Sequence, residues 1–458
     1  MSIVWHKKSV NRILINGLEY VYILLLILGS RSLYAHPLVG DYRITEMFLL
    51  VSMLLFIVNL DGCRNKLSKR LIVSLLAYMF VAGVYAILGV PGEMMVSYIG
   101  RYIVLMPVSI LLLYTYSQKC ETHVLLLKIP NVMCVLSIIS LFFWLFGSTL
   151  GIIKPTGTYA SLWGDHLNVG MHRSYYGIYF DSQSIRFFGY SGFRNCGIFT
   201  EAPMHSMMLV FAISCELFYG LYRGAKLNIP KLALLSFTVI TTFSSTGIVL
   251  LLLCFGLHVY IHLPSGFQKR VLLMGLTVPA VIAMAYVAYK VVSERSSGTS
   301  SWLHRLYGNR TALEYFIKSP IIGTGYGGDE FKSTFTINNV GFAFTITAVL
   351  AEGGILLSSV YWIPVISTIL RSWKRREKNI ACFAIIYFAQ YSTSLCENAL
   401  IMFVLLAAFI VYVPQRINVY DMLYGFKGNH ARIRVGLQPQ HEGNNDTGHC
   451  DGPVDMMG

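Results

Sequence analysis

The chain has 458 residues and a net charge of +14; it is 55% hydrophobic but only 13% charged, with a mean hydropathy of +0.59. Soluble domains carry about 25% charge, so soluble enzymes, nucleic-acid binders and disordered scaffolds are excluded. Apolar runs of roughly twenty residues, each long enough to cross ~30 Å of hydrocarbon, recur along the sequence and indicate a polytopic membrane protein. They are continuously apolar rather than alternating, which excludes a β-barrel.

In chain order, spans are expected at 12–30, 44–60, 71–90, 101–117, 129–147, 203–222, 231–244, 246–263, 271–292, 342–370, 380–395 and 399–415. The expected fold class is therefore all-α, a bundle of about twelve transmembrane helices. His6, Lys7 and Lys8 precede a first apolar segment too long for a cleaved signal peptide, so it reads as an uncleaved span. Cations gather in alternate connections: Arg64 to Arg70, then Lys119 and Lys128, Arg223 to Lys231, Lys269 and Arg270, and Arg371 to Lys378. The intervening short connections hold only Arg31, Arg43 and Arg101. By the positive-inside rule both termini are cytoplasmic, with a membrane domain over 1–415 and a polar tail over 416–458. Glu19, Glu46, Glu216 and Lys290 fall near span ends and are expected to snorkel. The nine cysteines lack the spacing of a disulfide framework or metal site, and with no acidic cluster for a divalent ion, no cofactor or metal is expected.

Two outer loops, 148–202 and 293–341, are longer than connections usually are and too aromatic for disorder. Tyr159, Trp163, Tyr175, Tyr176, Tyr179, Phe180, Trp302 and Tyr307 are among their rings, which fit either an interfacial aromatic belt or stacking on sugars. Their cations include Arg173, Arg186, Arg194, Arg295, Arg305 and Arg310. A guanidinium fork suits a phosphate, so an Arg set above the bilayer fits a lipid-linked diphosphate. For Arg310, with Glu314 and Lys318 at helical spacing, a solvated ion-pair face is the competing reading.

RNCGIFTEAP, from Arg194 to Pro203, and RTALEYFIKSPIIGTGYG followed by LAEGGI, within Arg310 to Ile355, resemble the O-antigen polymerase and O-antigen ligase superfamily. The FSSTG break and the late loop fall in that family's order over about residues 186–370, while the first half matches only in hydropathy. The ligases of that family carry a His-Asn pair before the Ala-Glu-x-Gly span. Here Asn338, Asn339, Ala343 and Phe344 stand nearby instead, so polymerase is preferred over ligase.

The resemblance implies a bacterial enzyme of the cytoplasmic (inner) membrane that joins undecaprenyl-diphosphate-linked oligosaccharides, with membrane lipids and a chain-length regulator as partners and no nucleic acid. Glu201 is then the leading acceptor base, with Glu352 second; Arg186, Arg194, Arg295, Arg305 and Arg310 are the diphosphate candidates. Gly197, Gly323, Gly325 and Tyr326 shape the turns. Competing readings stay beside these roles: Glu201 favours a helix N-terminus before Pro203, Glu352 forms a hydrogen bond between spans, and Ser244, Ser245, Thr246 and Gly247 cap helices. A ligase, or a flippase of lipid-linked oligosaccharide, is the alternative function.

Overall fold

The computed structural model describes residues 2–35, 43–60, 68–119, 122–161, 170–187, 190–220, 227–262, 301–327, 344–394, 396 and 399–412, with single positions at 266, 271 and 275. The apolar runs fold as α1 (Ser2–Leu28), α2 (Arg43–Leu60), α3 (Lys69–Gly89), α4 (Gly92–Gln118), α5 (Val124–Thr149) and α6 (Ala202–Tyr219). These are followed by α7 (Ile229–Thr241), α8 (Ser245–His262), α9 (Ser301–Lys318), α10 (Thr345–Lys374), α11 (Lys378–Thr393) and α12 (Leu400–Val411). Seven of the described helices, namely α2 to α6, α8 and α10, are long and apolar enough to cross a bilayer, as in a multi-pass membrane protein. Apart from positions 271 and 275, the span expected at 271–292 lies outside the described residues, as does the tail from 416.

Helix α6 forms the centre. Its span is 94% buried, against 28%, 22% and 28% for α2, α3 and α8, which turn most of their apolar side chains outward where lipid would cover them. Helices α1, α5, α7 and α11 finish at one end of the bundle, where α6, α8, α10 and α12 begin. Backbone bonds between chain-distant segments tie that end together. Leu33 N–H donates to the Ile198 carbonyl at 2.9 Å, Asn195 N–H to Thr241 at 3.1 Å and Thr345 N–H to Ser394 at 3.0 Å. The Ser30 hydroxyl accepts from Ile401 N–H at 3.0 Å. This is called the loop end below.

The bundle is helical as expected, and the segment 148–202 adds a small β-layer to it. That segment folds into an antiparallel sheet of β1 (Gly157–Ser161), β2 (Gly170–Tyr175) and β3 (Tyr179–Asp181), followed by a hairpin of β4 (Ser184–Phe187) and β5 (Tyr190–Phe193). The turn from β2 to β3 places Tyr176 and Gly177 at φ 52° and 69° and closes with Ile178 N–H donating to the Tyr175 carbonyl. Two successive positive φ values suit the twist of a hairpin. Tyr175 and Tyr179 pack on Phe143 at the end of α5, while Tyr159 and Phe180 pack on Leu33 beyond α1. Burial of those four rings, which the sequence offered for sugar stacking, fastens the sheet to the bundle.

Glu19 and Glu216 also differ from expectation. Instead of snorkelling they are buried, with Lys128 2.6 Å from Glu19 and Lys231 3.1 Å from Glu216. A cation from a neighbouring helix compensates each carboxylate, which removes the need to reach water.

Candidate functional site

The two glycine motifs meet. Helix α10 holds 30 residues, ~45 Å if unbroken at ~1.5 Å per residue, but its backbone leaves helical geometry at Gly354 (φ 54°, ψ −156°). A break between spans strands carbonyls on one side and N–H groups on the other, an expensive arrangement in hydrocarbon. Residues 320–325 supply the missing partners. Thr324 and Gly325 N–H donate to the carbonyls of Ala351 and Glu352 at 2.8 and 3.0 Å; Ile355 and Leu356 N–H donate to those of Pro320 and Ile321 at 2.8 and 3.1 Å. Tyr85 adds its hydroxyl to the Glu352 carbonyl at 2.7 Å.

Only glycine fits on either side of this junction. Gly323 (φ 73°) would place a Cβ 2.5 Å from the Glu352 backbone, and Gly354 would place one 2.5 Å from that of Ile321. Gly325 and Gly197 also hold positive φ, 99° and 59°. The turn continues to Tyr326, whose N–H donates to the Gly89 carbonyl at 2.8 Å and whose hydroxyl accepts from Arg101 Nη1 at 2.9 Å. Glu352 is half-buried at the break.

The lead-in to α6 is a second junction. Arg194 sends Nε to the Thr242 carbonyl at 2.8 Å, Nη2 to that of Phe243 at 3.2 Å and Nη1 to the Gln183 side chain at 3.0 Å. The cation thus sits on the carbonyls just past the C-terminus of α7, the end a positive charge favours. Gln183 Oε1 also accepts from Ala202 N–H at 3.2 Å, satisfying an otherwise unpaired donor at the start of α6. Asn195 binds Ser140 and Thr241, and its carbonyl meets the His205 ring, against which Gly197 packs. Glu201 precedes α6 with extended backbone and is buried; its carbonyl accepts from Met204 and His205 N–H, and its side chain makes no capping bond to the helix. In the FSSTG break, Ser244 Oγ accepts from Gly247 N–H at 3.2 Å and so caps α8.

Of the arginine candidates, the side chains of Arg194 and Arg310 are described, and they stand apart. Arg194 is bound as described, and Arg310 is exposed on α9 and paired with Glu314 at 2.9 Å. Arg186 stands on β4 opposite Ser191 and Arg305 on α9, but their side chains, like Arg295, His304, Asn338 and Asn339, lie outside the described residues. Arg173 pairs across the sheet with Asp181 at 2.8 Å. Burial pushes the Asp181 carboxyl up; Ser148, Arg173 and Tyr175 draw it back.

Arg31 and Arg101, expected only as the cations of short connections, share the wall of one cavity. Arg31, in the turn after α1, and Arg101, in the π-helical stretch Ile99–Leu105 of α4, line a cavity of about 160 Å³ at the loop end. Gly29, Ala35, Thr45, Leu400 and Phe403 complete its wall. Arg31 stands at φ 61° and is held there by Thr200, whose N–H and hydroxyl both donate to its carbonyl, at 3.2 and 3.3 Å. The cavity therefore lies beside the segment that carries Glu201, and the hydroxyl of Tyr326 reaches it through Arg101. The available signal was that Arg31 and Arg101 are isolated cations in short connections on the side poor in Lys and Arg. Comparison of the chain with protein-family models, with curated proteins and with solved structures finds no match.

Proposed function

We propose that the protein polymerises lipid-linked saccharide units at the outer face of a bacterial cytoplasmic membrane, with about twelve spans, the loop end outside and both termini in the cytoplasm. A growing glycan on undecaprenyl diphosphate is the donor, and the non-reducing-end hydroxyl of a second lipid-linked unit is the acceptor. The acceptor oxygen forms a bond to the sugar C1, the C1–O bond to the diphosphate breaks, and the hydroxyl proton passes to a carboxylate. Glu201 is the base in this reading, with Glu352 second. Undecaprenyl diphosphate leaves with the electron pair, its charge compensated by arginine.

The observation that carries the reading is that the 320–326 turn fills the break beside Glu352, while that turn and the Glu201 lead-in bond Arg101 and Arg31, which line one cavity. A flippase is the competing reading that a structural feature favours, because carriers also use broken helices near the bilayer centre. Carriers leave the half-helix ends open to cargo, however, whereas the break in α10 is filled by backbone of 320–325.

The test is purified protein in liposomes with a lipid-linked repeat unit and EDTA. A ladder of lipid-linked oligomers is expected, and Glu201→Gln should lower turnover ~10²- to 10⁴-fold while substrate still binds. Elongation that requires a lipid A core acceptor would make the protein a ligase instead.

A further inference from the structure

We infer that helix α9 lies flat in the membrane interface at the loop end and presses Leu313 and Ile317 into the acyl chains of that leaflet. The inference needs only that the apolar helices span a bilayer, and it stands apart from the polymerase reading. Helix α9 carries three exposed charged residues on one face, where Arg310, Glu314 and Lys318 recur at four-residue spacing and Arg310 pairs with Glu314. On the adjoining face Leu313, Ile317 and, in the turn beyond the helix, Ile321 recur at the same spacing and are exposed too, Ile317 by 74%. A third face packs Ala312 and Tyr315 on Ala351 of α10.

The direction of α9 follows from α10. At the end of the bundle opposite the loops, Glu377 N–H donates to the Ser372 carbonyl at 2.9 Å, so α10 ends and α11 begins at one level. From there α11 rises ~24 Å to Ser394, and α10, traced back from Ser372, rises ~27 Å to Gly354, at ~1.5 Å per residue. Thr345 N–H nevertheless donates to the Ser394 carbonyl at 3.0 Å. The two ends of the segment 345–354 therefore stand at similar heights. That segment crosses the loop end sideways, from the top of α11 to α3, where the Tyr85 hydroxyl meets the Glu352 carbonyl at 2.7 Å. The non-helical backbone of Gly354 turns the corner. Helix α9 runs alongside, with Asn309 Oδ1 accepting from the Thr347 hydroxyl at 2.8 Å near one end of the segment and residues 320–325 filling the break at the other.

Height and polarity name the partner. A rise of ~27 Å from Ser372 puts Gly354 just inside the loop-side edge of a ~30 Å hydrocarbon layer. Below the break α10 turns Ile355, Ile363, Ile366 and Leu370 outward along one face, as a span does towards lipid. Ile321 adjoins the top of that face, because Leu356 N–H donates to its carbonyl at 3.1 Å. The stripe of Leu313, Ile317 and Ile321 thus continues a lipid-facing wall at the height where acyl chains meet headgroups. An in-plane helix with apolar and charged faces binds that boundary, its apolar side sunk by ~5–10 Å. Arg310, Glu314 and Lys318 then face headgroups and water.

The test places a fluorescent amino acid, by amber suppression, in place of Ile317 or Glu314 of the full-length protein in nanodiscs. Quenching by acyl-brominated phosphatidylcholine reports hydrocarbon, and quenching by iodide reports water. In place of Ile317 the probe should be quenched several-fold more strongly by the brominated lipid, as it should be in place of Ile363 on the lower face of α10. In place of Glu314 the order should reverse, as it should at the exposed loop tip Tyr176. A probe in place of Leu313 should repeat the Ile317 result, which guards against a disturbance local to one substitution. Stronger quenching by iodide at both Ile317 and Glu314 puts α9 in water and overturns the inference. Stronger quenching by brominated lipid at both sinks the whole helix into hydrocarbon and overturns the in-plane orientation. Protection of the Ile317 and Leu313 probes from both quenchers means that protein covers the stripe, and the lipid contact is overturned.

Discussion

Replacing Gly323 or Gly354 by alanine tests whether the 320–325 turn and the break in α10 are one unit. Each residue holds a positive φ, which costs an alanine ~1–2 kcal/mol. Each added Cβ would also lie 2.5 Å from backbone across the junction, so the turn must withdraw. Withdrawal releases the bonds made by Thr324, Gly325, Ile355 and Leu356, at ~1 kcal/mol each when partners are lost in a dry interior. Either single substitution should therefore cost about 5–6 kcal/mol, measured by denaturant titration in mixed micelles with tryptophan fluorescence. Once one substitution has opened the junction little remains for the second to break, so the double variant should lose far less than the sum. Gly83→Ala in α3, where a Cβ meets nothing within 4 Å, should be neutral or stabilising by ~0.5–1 kcal/mol. Losses below ~1 kcal/mol, or strict additivity, would refute the shared junction.

Other expectations follow from the same contacts. Arg194→Lys replaces a fork that reaches two carbonyls and a side-chain amide by a single ammonium, so limited proteolysis between β4 and α6 should accelerate several-fold while Arg310→Ala leaves it unchanged. Burial lowers the pKa of His172 on β2 below its ordinary 6.5; the sheet's stabilisation by neutral imidazole is complete above pH 6.5 and lost as pH falls through the folded value. Loop cleavage should rise from pH 7.5 to 5.5 in the wild type and less in His172→Asn, and equal slopes would remove His172 as the cause. Cysteine placed at Tyr176, an exposed tip, should react with an impermeant maleimide added to whole cells, and cysteine at Arg375 only after lysis. The reverse pattern would invert the protein in the membrane.

The membrane helices were legible in the sequence because a bilayer imposes one length and one polarity on every span. The β-layer was not, since its strands hold three to six residues and their rings also satisfy an interfacial pattern. Glycines 323, 325 and 197 were legible as sites of unusual backbone, and each holds positive φ. Contact between Gly323 and the Glu352 backbone was not, because a three-dimensional partner leaves no local spacing to read. Arg194 was legible as a special cation, although its bonding to carbonyls depends on α7 ending beside it. The pairing of Arg31 and Arg101 was not legible, because in sequence a lone arginine in a short connection is only an exception to a charge count.

The filled break in α10 also bears on how the chain enters the membrane. Residues 320–325 leave the ribosome before Glu352 and Gly354, so the turn's own donors and acceptors must wait in water or at the insertion machinery until α10 follows. Helix α10, in turn, cannot be released into lipid as an independent segment with its mid-span donors bare. The two pieces are thus obliged to partition together, as a delayed hairpin assembled at the translocon. A chain truncated between residues 327 and 344 should leave its last turn stranded at the membrane surface, exposed to quality-control proteases.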